Sequence, residues 1–69
     1  MIDRTKSGMR CRARGMLHSH SAMVQPGQEG TITYEVENLG RWMVLVQWDN
    51  GPSLFAFPEE IEIITTANR

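Results

Sequence analysis

From Glu29 to Ile64 apolar and polar side chains alternate in runs that read as strands. Arg41-Trp-Met-Val-Leu-Val-Gln-Trp48 is the clearest, with β-branched and aromatic residues dominating. Strand side chains point alternately to opposite faces, so Trp42, Val44, Val46 and Trp48 share one face. Met43, Leu45 and Gln47 share the other, and Gln47 marks it as the outer one. Asp49-Asn-Gly-Pro52 is a cluster of turn formers, and Ser53-Leu-Phe-Ala-Phe57 follows it. A loop of residues 49–52 pairs Gln47 with Leu54, Val46 with Phe55, Leu45 with Ala56 and Val44 with Phe57. Valines then meet phenylalanines inside, and a slip of one residue would turn both phenylalanines outward.

Upstream, Glu29-Gly-Thr-Ile-Thr-Tyr-Glu-Val-Glu37 places Ile32, Tyr34 and Val36 on one face. Asn38-Leu-Gly40 suits a hairpin loop, with Gly40 at a left-handed position. That loop sets Val36 opposite Trp42, Tyr34 opposite Val44 and Ile32 opposite Val46, and sets Glu37 against Arg41 outside. Met9-Arg-Cys-Arg-Ala-Arg-Gly15 reads as a further strand with Met9, Cys11 and Ala13 on one face and arginines on the other. Glu60-Ile-Glu-Ile-Ile64 reads as the last, with Ile61 and Ile63 inside. Pro58-Glu-Glu60 before it suits one helical turn. The expected core is Ile32, Tyr34, Val44, Val46, Trp48, Phe55, Phe57, Ile61 and Ile63. Five short strands in 69 residues hide their edges best by closing, so the pattern predicts an all-β, small five-stranded barrel with a three-strand antiparallel meander.

Composition narrows the class. Sixty-nine residues, 41% hydrophobic and 22% charged, make one globular domain with a small core. Residues 9–65 are expected to form it, with tails at 1–8 and 66–69. A single cysteine excludes an internal disulfide, which points to a reducing, cytoplasmic setting. No run is long enough to span a membrane, and the basic N-terminus lacks a signal peptide's apolar stretch.

The net charge of −1 is unevenly spread. Residues 1–20 carry Arg4, Lys6, Arg10, Arg12 and Arg14 against Asp3, for +4; residues 21–69 carry Arg41 and Arg69 against seven acids, for −5. A basic strand invites phosphate contact. The first and last strands of a closing barrel are neighbours, however, so Arg10, Arg12 and Arg14 are expected to meet Glu60 and Glu62 across the ladder.

The stretch Pro26-Gly27-Gln-Glu-Gly30-Thr-Ile32 leads into a strand, followed by Val44-Leu-Val-Gln-Trp-Asp-Asn-Gly51 and Phe57-Pro-Glu-Glu-Ile61. This order resembles small SH3-like barrels, and among them the electron-transport accessory proteins. These include the photosystem I stromal barrel subunit, the variable subunit of ferredoxin–thioredoxin reductase and nitrogen-fixation accessory barrels. Gly27-x-x-Gly30-x-Ile32 is also similar to the KOW motif of ribosomal and transcription-associated barrels, and to little bacterial KOW-like barrels. The resemblance covers residues 9–64 and implies an SH3-like fold in a non-catalytic accessory protein. Its matched residues are turn and core positions, so it carries no site residue across.

Candidate chemistry is sparse. His18, His20 and Cys11 offer three nitrogen and sulfur ligands, one short of a structural zinc site, so no metal or other cofactor is expected. Cys11, between Met9 and Ala13 on its face, reads as a small core residue. Glu35, Glu37, Glu59, Glu60 and Glu62 fall on outward or turn positions without a pocket, and no enzymatic motif is present. The strongest feature is an outer apolar patch. Met43 and Leu45, set opposite Leu54 and Ala56, form a four-residue contact surface for a protein partner or a second copy of the chain. The alternative cover is the N-terminal tail, or the loop from Met16 to Met23 with Leu17. The expected function is a non-catalytic binding or accessory module, in contact with a protein partner in a bacterial cytoplasmic complex, redox-related by resemblance. The alternative is a KOW-type nucleic-acid-binding barrel using Arg10, Arg12, Arg14 and Arg41 on phosphates and Trp42 for stacking.

Overall fold

A computed structural model describes residues 1–18 and 22–65. Its strands are β1 (Ile2–Asp3), β2 (Arg10–Ala13), β3 (Leu17–His18), β4 (Met23–Val24), β5 (Glu29–Asn38), β6 (Arg41–Trp48), β7 (Ser53–Ala56) and β8 (Ile61–Thr65), with a 3-10 turn at Pro58–Glu60. The principal sheet is antiparallel, in the order β7-β6-β5-β2-β8, and β1 joins it along β5. β3 and β4 form a separate hairpin. The all-β class and the meander β5-β6-β7 follow the alternation of the sequence. The sheet is an open path rather than a closed ring, with β7 and β8 at its ends.

Both meander turns are one residue shorter than the sequence pattern suggests. Between β5 and β6 only Leu39 and Gly40 lie outside the ladder, because Asn38 pairs with Arg41. Both residues have positive φ, 55° and 81°, as a two-residue turn matched to strand twist requires. Glu37 therefore faces Trp42, Val36 faces Met43 and Tyr34 faces Leu45. Ile32 nevertheless faces Val46, because a bulge at Thr33 absorbs one residue between Ile32 and Tyr34. The expected register thus holds at Ile32 and fails beyond it. Tyr34 and Val36 turn to the outer face, and Glu35 turns inward opposite Val44.

Between β6 and β7 the Trp48 N–H donates to the Pro52 carbonyl at 2.9 Å and the Gly51 N–H to the Trp48 carbonyl at 3.0 Å. The loop is therefore residues 49–51, with Gly51 at positive φ. Val46 then meets Leu54, Leu45 meets Phe55 and Val44 meets Ala56. This is the slip that turns Phe55 outward, to 47% exposure, while Ala56 is buried at 3%. The small Ala56 side chain is thus the one buried opposite Val44.

The core is Cys11, Ala13, Leu17, Val24, Ile32, Val44, Val46, Trp48, Ala56 and Ile61, with Met9 and Leu54 against it. Leu17 and Val24 come from the β3–β4 hairpin, so Leu17 covers the core and not the outer patch. Of the other expected core residues, Tyr34 and Phe57 are half-buried, and Ile63, on the edge strand, stays 44% exposed. Residues 1–8 are not a tail. Ile2 and Asp3 pair with Val36 and Glu35, and the Gly8 N–H donates to the Ile32 carbonyl at 2.8 Å. The expected tail at 66–69 lies outside the described residues. The turn at Pro58 forms as expected, closed by a hydrogen bond from the Phe57 N–H to Glu60 Oε1 at 2.8 Å.

Candidate functional site

The bulge and the two short turns together assemble one apolar outer face. Its first row runs Ile2, Val36, Met43 across β1, β5 and β6, and its second runs Tyr34, Leu45, Phe55 across β5, β6 and β7. Met43 and Leu45 lie outward, as expected from sequence. Leu54 and Ala56 do not: the β6–β7 slip turns Leu54 against the core and buries Ala56. Their places are taken by Phe55, by Tyr34 and Val36 and, at the N-terminal edge, by Ile2. Tyr34, Val36, Met43 and Leu45 are half-buried by their neighbours, and Ile2 is 53% exposed. Tyr34 and Phe55 meet edge to face, ring centroids 6.4 Å apart at 67°, across the intervening Leu45.

Two arginines flank this face. The Arg4 guanidinium carbon lies 5.5 Å from the Tyr34 ring centroid, and that of Arg41 lies 4.3 Å from the Phe57 centroid. Both distances are within cation–π range.

The arginines of β2 are engaged within the chain. Arg12 faces Glu62 at 2.9 Å, as the neighbouring of β2 and β8 predicts. Arg10 instead binds Asp49 at 2.6 Å and Glu29 at 3.3 Å, since its level on β8 is that of Thr65, past Glu62. Its hydrogen bonds hold the Asp49 carboxyl below its ordinary pKa. Arg14 donates from Nε to the Ile61 carbonyl at 3.1 Å. Trp42 lies on the opposite side of β6 from Arg41. It lines a cleft of about 320 Å³ with Asp3, Lys6, Glu35 and Pro58. Lys6 and Glu35 are 3.4 Å apart there, and Thr5, through its side chain first and then its N–H, holds the Asp3 pKa low. Arg10, Arg12, Arg14, Arg41 and Trp42 therefore do not form one phosphate-binding patch, and the cleft beside Trp42 carries two carboxylates against one ammonium.

Cys11 is wholly buried, and burial pushes its thiol pKa up to about 11. His18 is exposed on β3, and His20 lies outside the described residues. Among the described residues no three His, Cys, Asp or Glu side chains are grouped to hold a metal. Several of the glutamates serve the backbone or the ladder. Glu37 Oε2 accepts from the Gly40 N–H at 3.0 Å, Glu60 from Phe57, and Glu62 from Arg12. Among the described residues no helix is long and apolar enough to cross a membrane.

Comparison with known proteins finds no matching family model, no matching curated protein and no matching solved structure. The face must be read from its own residues. Sequence reasoning misses Tyr34, Val36, Phe55, Ile2 and Arg4 as members. The available signal is Leu39-Gly40: taken as a complete two-residue turn, it sets Val36 and Tyr34 beside Met43 and Leu45.

Proposed function

We propose that this chain is an SH3-like barrel working as a non-catalytic binding module, and that its contact surface for a protein partner is the outer face around Leu45. The fold reading is supported by the strand order, in which the first and last long strands neighbour each other and a 3-10 turn precedes the last. The functional reading is carried by one observation: Tyr34, Val36, Met43, Leu45 and Phe55 form a contiguous apolar face across three strands, on the side away from the core. Apolar patches of this kind on small domains mark contact sites. A few hundred Å² buried at roughly 25 cal/mol per Å² supplies several kcal/mol before association costs. An accessory role in a bacterial cytoplasmic complex, redox-related, rests on the resemblance to electron-transport accessory barrels. The nucleic-acid reading is weaker, because Arg10 and Arg12 already carry carboxylate partners.

The test is a Leu45→Glu, Phe55→Lys double variant. Both side chains point away from the core, so the far-UV spectrum and cooperative unfolding should persist. Capture of native partners, or self-association in sedimentation equilibrium, should be lost. Association equal to wild type with the fold intact would remove this face as the contact surface.

A further inference from the structure

Of the basic side chains on the principal sheet and its N-terminal extension, Lys6, Arg10 and Arg12 each lie within ion-pair distance of a carboxylate. Arg14, just after β2, gives its Nε–H to the Ile61 carbonyl, while Arg4 and Arg41 do not pair with any carboxylate among the described residues. Each lies against an aromatic ring, Tyr34 and Phe57. A guanidinium resting on a ring is restrained in position, and its N–H donors around the rim are not consumed by the ring contact. The outer face is thus an apolar centre with a positioned, unanswered positive charge on either side.

The backbone spacing of the two arginines is set by the ladder. Arg4 stands beside Tyr34 at the β1 edge, and Arg41 pairs with Asn38 on β6. From the Tyr34 level to the Asn38 level is roughly 13 Å along the strands, and from β1 to β6 is roughly 10 Å across them. The backbone diagonal is therefore roughly 16 Å, and each guanidinium leans from it onto its ring, Tyr34 on β5 and Phe57 just after β7.

We propose that this face receives a protein segment whose apolar side chains are flanked on both sides by carboxylates, with Arg4 and Arg41 binding the two acidic ends. A second copy of the chain answers the charges poorly. Glu29, Asp49 and Glu62, the acids beside β2 on the same sheet, already hold Arg10 and Arg12. A face-to-face dimer would bury the apolar centres and leave four arginines without partners. A lysine-rich or uncharged segment would likewise leave both arginines unanswered. The inference rests on the reading of the outer face as the contact surface, and adds to it the chemistry of the partner.

The test uses the full chain and a random peptide display library as the probe. Peptides retained by the wild-type protein are sequenced, then titrated against wild type, Leu45→Glu and the Arg4→Gln, Arg41→Gln double variant at two salt concentrations. The expected peptides carry Asp or Glu on both sides of an aromatic or aliphatic pair. They should bind Leu45→Glu, and separately the double-glutamine variant, about tenfold or more weakly, with a shallower salt dependence for the latter. Peptides that need Leu45 but show no acidic flanks, or bind the double-glutamine variant unchanged, overturn the charge assignment and leave the contact face standing. Peptides that bind Leu45→Glu unchanged, or no enrichment at all, overturn both. Thermal melts confirm that the variants are folded, and Phe55→Lys replaces Leu45→Glu should the latter unfold.

Discussion

Gly30 lies directly opposite Trp48 in the β5–β6 ladder. A Cβ added there would stand 2.7 Å from Val46 Cγ1, 2.8 Å from the Gln47 carbonyl oxygen and 3.0 Å from the Trp48 Cα. Two of these three neighbours are backbone, and Val46 is itself in the core, so none can move aside freely. Gly30→Ala should therefore destabilise by about 1–3 kcal/mol, despite alanine's better intrinsic fit to ordered structure. Urea denaturation measures it, and a midpoint at or above wild type would contradict the geometry.

Leu39 presents the opposite case. It is 94% exposed, so it contributes no packing, yet it holds φ at 55° in the two-residue turn. A leucine in that region is strained, whereas asparagine tolerates it and is preferred ahead of glycine in such turns. Leu39→Asn should raise stability by about 1 kcal/mol, read as a higher midpoint in the same urea titration.

Asp49 and Arg10 couple stability to pH. Hydrogen bonds from Arg10 hold the folded-state pKa of Asp49 below its ordinary value of 3.8. The folded chain then binds fewer protons than the unfolded chain in this range. The contribution of Asp49 is complete above 3.8 and is lost as pH falls through the depressed folded value. Thermal melts below about pH 4 should show Asp49→Asn less sensitive to acid than wild type, with the two converging at the lowest pH. Equal slopes would mean that the ion pair does not persist in solution.

Cys11 has no exposed surface, and burial raises its thiol pKa to about 11. Thiolate is the reacting species, so the native protein should label with a thiol reagent at pH 8 only through opening of the β2–β8 ladder. Labelling should be slow in buffer, complete in denaturant, and faster in Gly30→Ala, by about tenfold for each 1.4 kcal/mol of stability lost by the opening segment. Immediate labelling of the native chain would place Cys11 at a mobile edge.

The strands of the meander are legible in the chain because alternation reports parity, and β-branched and aromatic residues report a pleated, half-buried surface. The pairing of Arg12 with Glu62 is legible as well, as opposite charges on the first and last long strands of the chain. Turn length is not legible from alternation. Asn38-Leu39-Gly40 and Asp49-Asn50-Gly51-Pro52 each admit a loop one residue longer than the structure contains. Burial of Phe55 and Phe57 argues for the longer loop at the second turn. The competing arrangement buries Ala56 and Leu54, and lets Phe55 recover an aromatic contact with Tyr34. The face also draws on Ile2 and Arg4, which carry no strand pattern of their own and join the sheet only because the edge of β5 beyond β2 is open to receive them.

The bulge at Thr33 and the short turn at Leu39-Gly40 are two ends of one count. A three-residue turn would pair β5 and β6 in unbroken step from Ile32 outward; the two-residue turn removes one position, and Thr33 restores it. One residue added at the hairpin tip, with the turn kept at two residues, would relieve the bulge and exchange the sides of residues 34–37. Tyr34 and Val36 would go toward the core side, and Glu35 and Glu37 would come out. The character of the outer face is therefore written less in the identity of its side chains than in an arithmetic of chain length. A single insertion, far from Leu45 and altering none of the face's own residues, would set two carboxylates among Met43, Leu45 and Phe55 in place of Tyr34 and Val36.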